Sequence, residues 1–163
     1  MTKLATKLRY MQFYAHNAHN ACKGETFYSD HEELGALYGV YEGLYDNVIE
    51  RMIGLGQAVD LIKVQSEAVK MLEGETTPTA FNAAFSAVLT CEEDLCKLIS
   101  EANEGASLGT QDLLQAMCND SETRQYKLKQ RISKSSSAEA ASETKEATDK
   151  SKATVFKLLT SKK

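Results

Sequence analysis

Tryptophan is absent from this chain, proline occurs once, at Pro78, and histidine three times in 163 residues. With so little proline and much Ala, Leu, Glu, Lys and Gln, the composition favours helix over sheet. No run approaches the eighteen or so apolar residues of a membrane-spanning helix, and the N-terminus lacks the apolar region of a secretory signal. The expected location is therefore the cytoplasm. The four cysteines (Cys22, Cys91, Cys96, Cys118) form no CxxC pair and no Cys/His zinc spacing, so reduced, mostly buried thiols are expected. What remains is an ordinary single-domain length, 42% apolar and 26% charged, long enough to bury a core.

Charge is unevenly placed. From Arg124 to Lys163 there are eleven Lys and Arg against four Asp and Glu; the preceding 123 residues carry eight against nineteen. The net charge of −4 thus divides into an acidic body of −11 and a basic end of +7, an asymmetry that points to a tail able to meet phosphates.

Apolar spacing predicts a first helix from Leu4 to Cys22, with Leu4, Leu8, Met11, Tyr14, Ala15 and Ala18 on one face. Lys23-Gly24 ends it. Ser29-Asp30-His31-Glu32 has the form of a capping box, predicting a second helix from Asp30 to about Leu55. Residues 57–73 read as a long crossover with a short helix of its own. Thr77-Pro78 starts a third long helix, with Phe81, Phe85, Val88, Leu89, Leu95, Leu98 and Ile99, ending near Gly105. Thr110 caps a fourth, with Leu113, Leu114, Met117, Tyr126, Leu128 and Ile132. Two antiparallel helix hairpins joined by a long crossover make an all-α, ferritin-like four-helix bundle over residues 1–133. Residues 134–163 are rich in Ser, Ala and Lys and read as a disordered or weakly helical C-terminal tail, of which only Val155 to Leu159 offers apolar surface.

His16, His19 and His31 fall within sixteen positions, on both sides of one turn. Antiparallel pairing across that turn places His19 near His31. Further along the second helix, Glu42, Asp46 and Glu50 share one face. His31 and Asp46 stand fifteen residues apart, about 22 Å along the axis, so they cannot hold one ion within a chain. Two copies of the helix packed antiparallel about a two-fold axis would bring the histidines of one to the carboxylates of the other, twice over. Gly35, Gly39 and Gly43 recur at four-residue spacing; each costs a helix about 1 kcal/mol relative to alanine and opens a groove for a close-packed backbone. The first helix of the same chain and a second subunit are both candidates to fill it.

At these residues the chain resembles a known family. The string AHN around His19, HEEL from His31, and DNVIER from Asp46 through Glu50 to Arg51 are similar to the ferroxidase-centre pattern of the DNA-protection-during-starvation (Dps) miniferritins. KGETFYSDH between the histidines, IERMIGLG at the end of the helix and GTQDLLQ at the start of the last helix are also family-like. The motif match spans residues 8–56, whereas residues 79–133 fit by helix pattern. The resemblance implies a homo-oligomer, a hollow dodecamer, that binds iron, oxidises Fe(II) with hydrogen peroxide, stores the ferric product and protects DNA from oxidative damage. It implies a site built from His19 and His31 of one subunit and Asp46 and Glu50 of its two-fold partner. It also implies nucleoid association through a lysine-rich tail, here Lys134, Lys145, Lys150, Lys152, Lys157, Lys162 and Lys163. Two positions depart from the pattern. Gly35 stands where the family has an acidic residue, which implies weaker iron binding, with His16 or Glu42 as substitutes. Asn20 stands where it has tryptophan, leaving Tyr14, Tyr28 and Tyr45 as alternative electron donors or as core residues. The alternative function is a non-catalytic DNA-binding or virion-associated shell acting through the tail.

Overall fold

A computed structural model describes residues 1–75 and 81–133. Five helices follow in order: α1 (Thr2–Ala21), α2 (Phe27–Gly54), α3 (Leu61–Leu72), α4 (Phe81–Asn103) and α5 (residues 108–133). α1 and α2 form one hairpin, α4 and α5 the other, and α3 lies in the crossover, as the apolar spacing required. Among the described residues no helix is long and apolar enough to cross a membrane. Thr77-Pro78, where the sequence predicts the third long helix to start, and the tail lysines lie outside the described residues.

The stripe read from the sequence of α1 is the buried one: Leu4, Leu8, Met11, Tyr14, Ala15 and Ala18 all lie in the core. They meet Leu34, Leu37, Tyr41 and Val48 of α2, and Phe85, Val88, Leu95 and Ile99 of α4 join from the other hairpin. α5 closes the bundle with Leu114, Met117 and Leu128. Its Tyr126, expected on the apolar face, is 65% exposed. α3 buries only Val64 and Ala68; Asp60 caps it by accepting from the Lys63 amide at 2.9 Å.

Two expected caps are not made. α2 begins at Phe27, three residues before the proposed start, because Asp30 is drawn inward rather than held at the helix end. Asp30 is 2% exposed; it accepts from Arg131 Nε and Nη2 at 3.1 and 2.9 Å and from the Thr26 hydroxyl at 2.7 Å. Ser29 donates to the Thr26 carbonyl instead of capping, and Glu32 faces solvent. At α5 the residue before the helix is Ser107, whose carbonyl accepts from the Thr110 and Gln111 amides at 2.9 and 2.8 Å. Thr110 is buried one turn in, its hydroxyl 3.0 Å from that of Ser107.

The two hairpins are joined by buried charge. Glu92 of α4, fully buried, accepts from Tyr41 of α2 at 2.7 Å, from Ser121 at 2.6 Å and from Arg124 Nε at 2.6 Å. Burial, reinforced by the Glu92 charge, holds the Tyr41 phenol protonated far above its ordinary range. Arg131 completes the pattern at the other end: besides Asp30 it donates to Asn82 of α4 at 3.0 Å and lies over the Phe85 ring. Two of the cations counted toward the basic end are therefore consumed inside the bundle. With Lys127 and Lys129 these two arginines belong to α5, so the sequence beyond Ser133 has seven lysines and four acidic residues, a net of +3.

Removing one member of a buried ion pair strands the other charge, at a cost of about 3–5 kcal/mol. Arg124→Met should lower urea-unfolding stability by that amount. The double variant Glu92→Met/Arg124→Met should recover most of it, because no bare charge is left in the core.

Candidate metal centre

The turn between α1 and α2 passes through Gly24, whose φ of +93° suits glycine. On either side of it the chain returns in a register that places His19 against His31. The two rings stack with centroids 3.6 Å apart and planes 23° from parallel. Each ring also reaches the other residue's backbone: His19 Nδ1 lies 2.8 Å from the His31 carbonyl and His31 Nδ1 lies 3.1 Å from the His19 carbonyl. A carbonyl only accepts, so Nδ1 donates in both rings, and in the neutral imidazole the lone pair is left on Nε2. This is the arrangement that orients a histidine for metal binding, one nitrogen anchored and the other free. An imidazole binds a metal in the plane of its ring at about 2.1 Å. Rings lying face to face cannot both do this to one ion, so the two Nε2 atoms are not placed to share one.

Aromatic neighbours complete the setting. Phe27 stacks on His31 with centroids 5.0 Å apart, and Tyr38 stands 5.4 Å from His19 and 4.5 Å from His16. His16 itself is exposed, its ring 6.2 Å from that of His19. The tyrosine beside the histidines is thus Tyr38 and not one of the three considered from the sequence. Tyr14 and Tyr45 are core residues, Tyr45 under the Arg9 guanidinium at 3.8 Å, and Tyr28 is 84% exposed. Spacing could have found these partners, since Phe27 precedes His31 by one helical turn and Tyr38 follows it by two.

Gly35 has a structural explanation. A Cβ at this position would stand 3.2 Å from His19 Nδ1 and 3.3 Å from Cε1. A side chain at position 35 would require the His19 ring to give by a few tenths of an ångström, so glycine here lets the stacked pair sit close against α2. Gly39 and Gly43 differ: a Cβ at either would meet nothing within 4 Å. The first helix of the same chain therefore does not fill the glycine groove beyond Gly35, and among the described residues nothing packs against this face of α2 at Gly39 and Gly43.

Asp46 and Glu50 lie exposed further along α2. Among the described residues neither is hydrogen-bonded or ion-paired. Glu50 lines a cleft of about 370 Å³ with Asn47, Arg51, Gly54, Leu55 and Leu113. Glu42, offered as a substitute ligand, instead accepts from Gln12 of α1 at 3.2 Å. Within one chain the structure brings His19 to His31 and brings neither of them to Asp46 or Glu50. Among the described residues no group of three or more His, Cys, Asp or Glu is placed to hold a metal ion. Any site using all four residues must draw on two subunits.

Comparison with known proteins follows the same lines. The sequence has no significant match among curated proteins. The fold matches a solved structure of a Dps protein from Vibrio cholerae O1, described as a member of a broad superfamily of ferritin-like diiron-carboxylate proteins; the TM-score is 0.57 at 18% identity, over 80% of this chain and 85% of that one. The family model of the ferritin-like domain matches residues 2–137. With two helix hairpins, a crossover helix and this match over most of its length, the chain belongs to the ferritin-like family.

Proposed function

We propose that this protein is a Dps-like iron store and ferroxidase. Fe(II), the substrate, binds where His19 and His31 of one subunit face Asp46 and Glu50 of its two-fold partner. The observation that carries this reading is the reciprocal anchoring of the two imidazoles, which leaves one free nitrogen on each at an open end of α2. Two stacked rings that shared both Nδ1 protons with solvent would make a poorer case.

The donor set suits the cargo. Imidazole nitrogen and carboxylate oxygen accept Fe(II), and carboxylate oxygen stabilises the Fe(III) product. A pair of irons supplies the two electrons that reduce one hydrogen peroxide. This chain's residues hold the pair: the His19 and His31 carbonyls fix ring orientation, and Asp46 and Glu50, free of other partners, bring the negative charge. With Gly35 replacing a carboxylate, each subunit pair offers fewer oxygens, and iron binding should be weaker than in a protein with that ligand. The face carrying Gly39 and Gly43 supports close packing of a second α2, and a hollow dodecamer is the assembly this reading expects.

The shared site makes a complementation test possible. His31→Ala and Asp46→Ala should each abolish peroxide-dependent Fe(II) oxidation. Co-assembled from unfolded chains in equal amounts, the two should recover about a quarter of the wild-type rate, because half the dimers are mixed and each of these has one intact site. No recovery from assembled mixtures would rule out a site shared between subunits.

The glycine face gives an independent check. Gly43→Ala should strengthen the isolated helix by about 1 kcal/mol yet weaken assembly, measured by light scattering. Unchanged assembly would assign the groove to something other than a second subunit.

A second activity, DNA binding through the tail, is favoured by the seven lysines beyond Ser133 against a strongly acidic body. In this reading Lys134, Lys145, Lys150, Lys152, Lys157, Lys162 and Lys163 contact phosphates without sequence preference. A chain ending at Ser133 should lose the gel shift of the full-length protein, and the full-length shift should fall steeply with salt. Equal binding by both chains would remove the tail from DNA contact.

A further inference from the structure

Away from the histidines, α4 and α5 place two of the four thiols side by side. Cys96 Sγ and Cys118 Sγ are 3.2 Å apart, one on each helix of the α4–α5 hairpin. Both are half-buried, whereas Cys22 and Cys91 are buried in the core. A disulfide needs its sulfurs at about 2.05 Å, so the remaining gap is about an ångström and lies within reach of side-chain rotation. The surroundings are polar. Gln125 Nε2 lies 3.5 Å from Cys96 Sγ, and the Ser121 hydroxyl lies 3.4 Å from it. Ser121 in turn donates to the buried Glu92.

We propose that Cys96 and Cys118 are an oxidation site, a dithiol that hydrogen peroxide converts to a disulfide across the α4–α5 hairpin. The reaction requires no iron and stands apart from the ferroxidase reading.

The roles of the two sulfurs differ. Cys118 donates its S–H to Cys96, and burial, then that hydrogen bond, pushes its thiol up to about 11. It therefore keeps its proton while Cys96 attacks. Negative charge developing on the Cys96 sulfur is met by two donors, the Cys118 S–H and the Gln125 amide. In the first step the Cys96 sulfur bonds to one peroxide oxygen, the O–O bond breaks, and the departing hydroxide takes up the thiol proton as water. A sulfenic acid is left on Cys96. In the second step the Cys118 sulfur attacks that sulfur, the S–O bond breaks, and the hydroxyl leaves with the Cys118 proton as a second water. Two thiols lose two electrons, and one peroxide becomes two waters. Cys22 and Cys91 take no part: burial raises both thiols, and neither is paired with a second thiol as Cys96 and Cys118 are.

The test uses the full-length protein, reduced, freed of metal with a chelator and given one equivalent of hydrogen peroxide. Two of the four thiols should disappear, intact mass should fall by about 2 Da, and peptide mapping should join Cys96 to Cys118. Cys96→Ser and Cys118→Ser should each abolish the mass loss and instead gain oxygen in steps of about 16 Da. The double variant Cys22→Ser/Cys91→Ser should still lose about 2 Da, as the wild type does. The proposal is overturned if the wild type gains oxygen without a joined peptide. It is equally overturned if the joined peptide contains Cys22 or Cys91, or links two chains.

Discussion

The register of α1 against α2 is the constraint on which the candidate site rests, and two imidazoles help to fix it. The last carbonyls of a helix have no partner within it. In α1 one of these belongs to His19; the Cys22 amide just past the helix donates to it at 3.3 Å, and the His31 ring donates to it from across the hairpin. The return contact, from the His19 ring to the His31 carbonyl, adds a second acceptor bond to a residue inside α2. A slip of one residue would break both bonds and turn the rings apart. The same two contacts that hold the hairpin in place also set which nitrogen of each histidine is free. Here packing and chemistry use the same atoms.

Glycine at position 35 belongs to this arrangement. An acidic side chain there would compete with the His19 ring for space, so the chain has a close imidazole pair where a related pattern has an additional carboxylate. Glycine at this position thus removes an oxygen and leaves both imidazoles in place. The open face further along α2 is a separate matter. Its glycines weaken the helix without relieving any contact among the described residues, and that cost makes physical sense if another backbone comes close in the assembly.

Polar groups in the core do for the two hairpins what the histidines do for the first. Glu92 and Asp30 are carboxylates with almost no solvent contact, and each is satisfied by an arginine from α5 together with hydroxyls. Such pairs contribute little net stability against apolar substitutes. They do specify which face of α5 turns inward, since another rotation would strand the two buried carboxylates, Glu92 and Asp30. The thiol pair lies along the same seam, connected through Ser121 to Glu92, so oxidation there would act on the part of the bundle where α4 and α5 are joined.

Periodicity alone determined the number of helices, the buried stripe of α1 and the pairing of His19 with His31, because these follow from local spacing and a short turn. The position of Asp46 and Glu50 far from the histidines was equally legible, since one helix fixes that distance at 1.5 Å per residue. The tertiary structure decided the rest. Ser29 and Glu32 have the pattern of a cap, but the pull of Arg131, a hundred residues away, on Asp30 moved the helix start. Arg124 and Arg131 read as part of a basic tail until Glu92 and Asp30 claimed them. Cys96 and Cys118 read as two isolated thiols until the packing of α4 on α5 brought their sulfurs together. In each case the deciding partner was distant in sequence, and a pattern read along the chain carries no information about which distant charge or sulfur will be its neighbour.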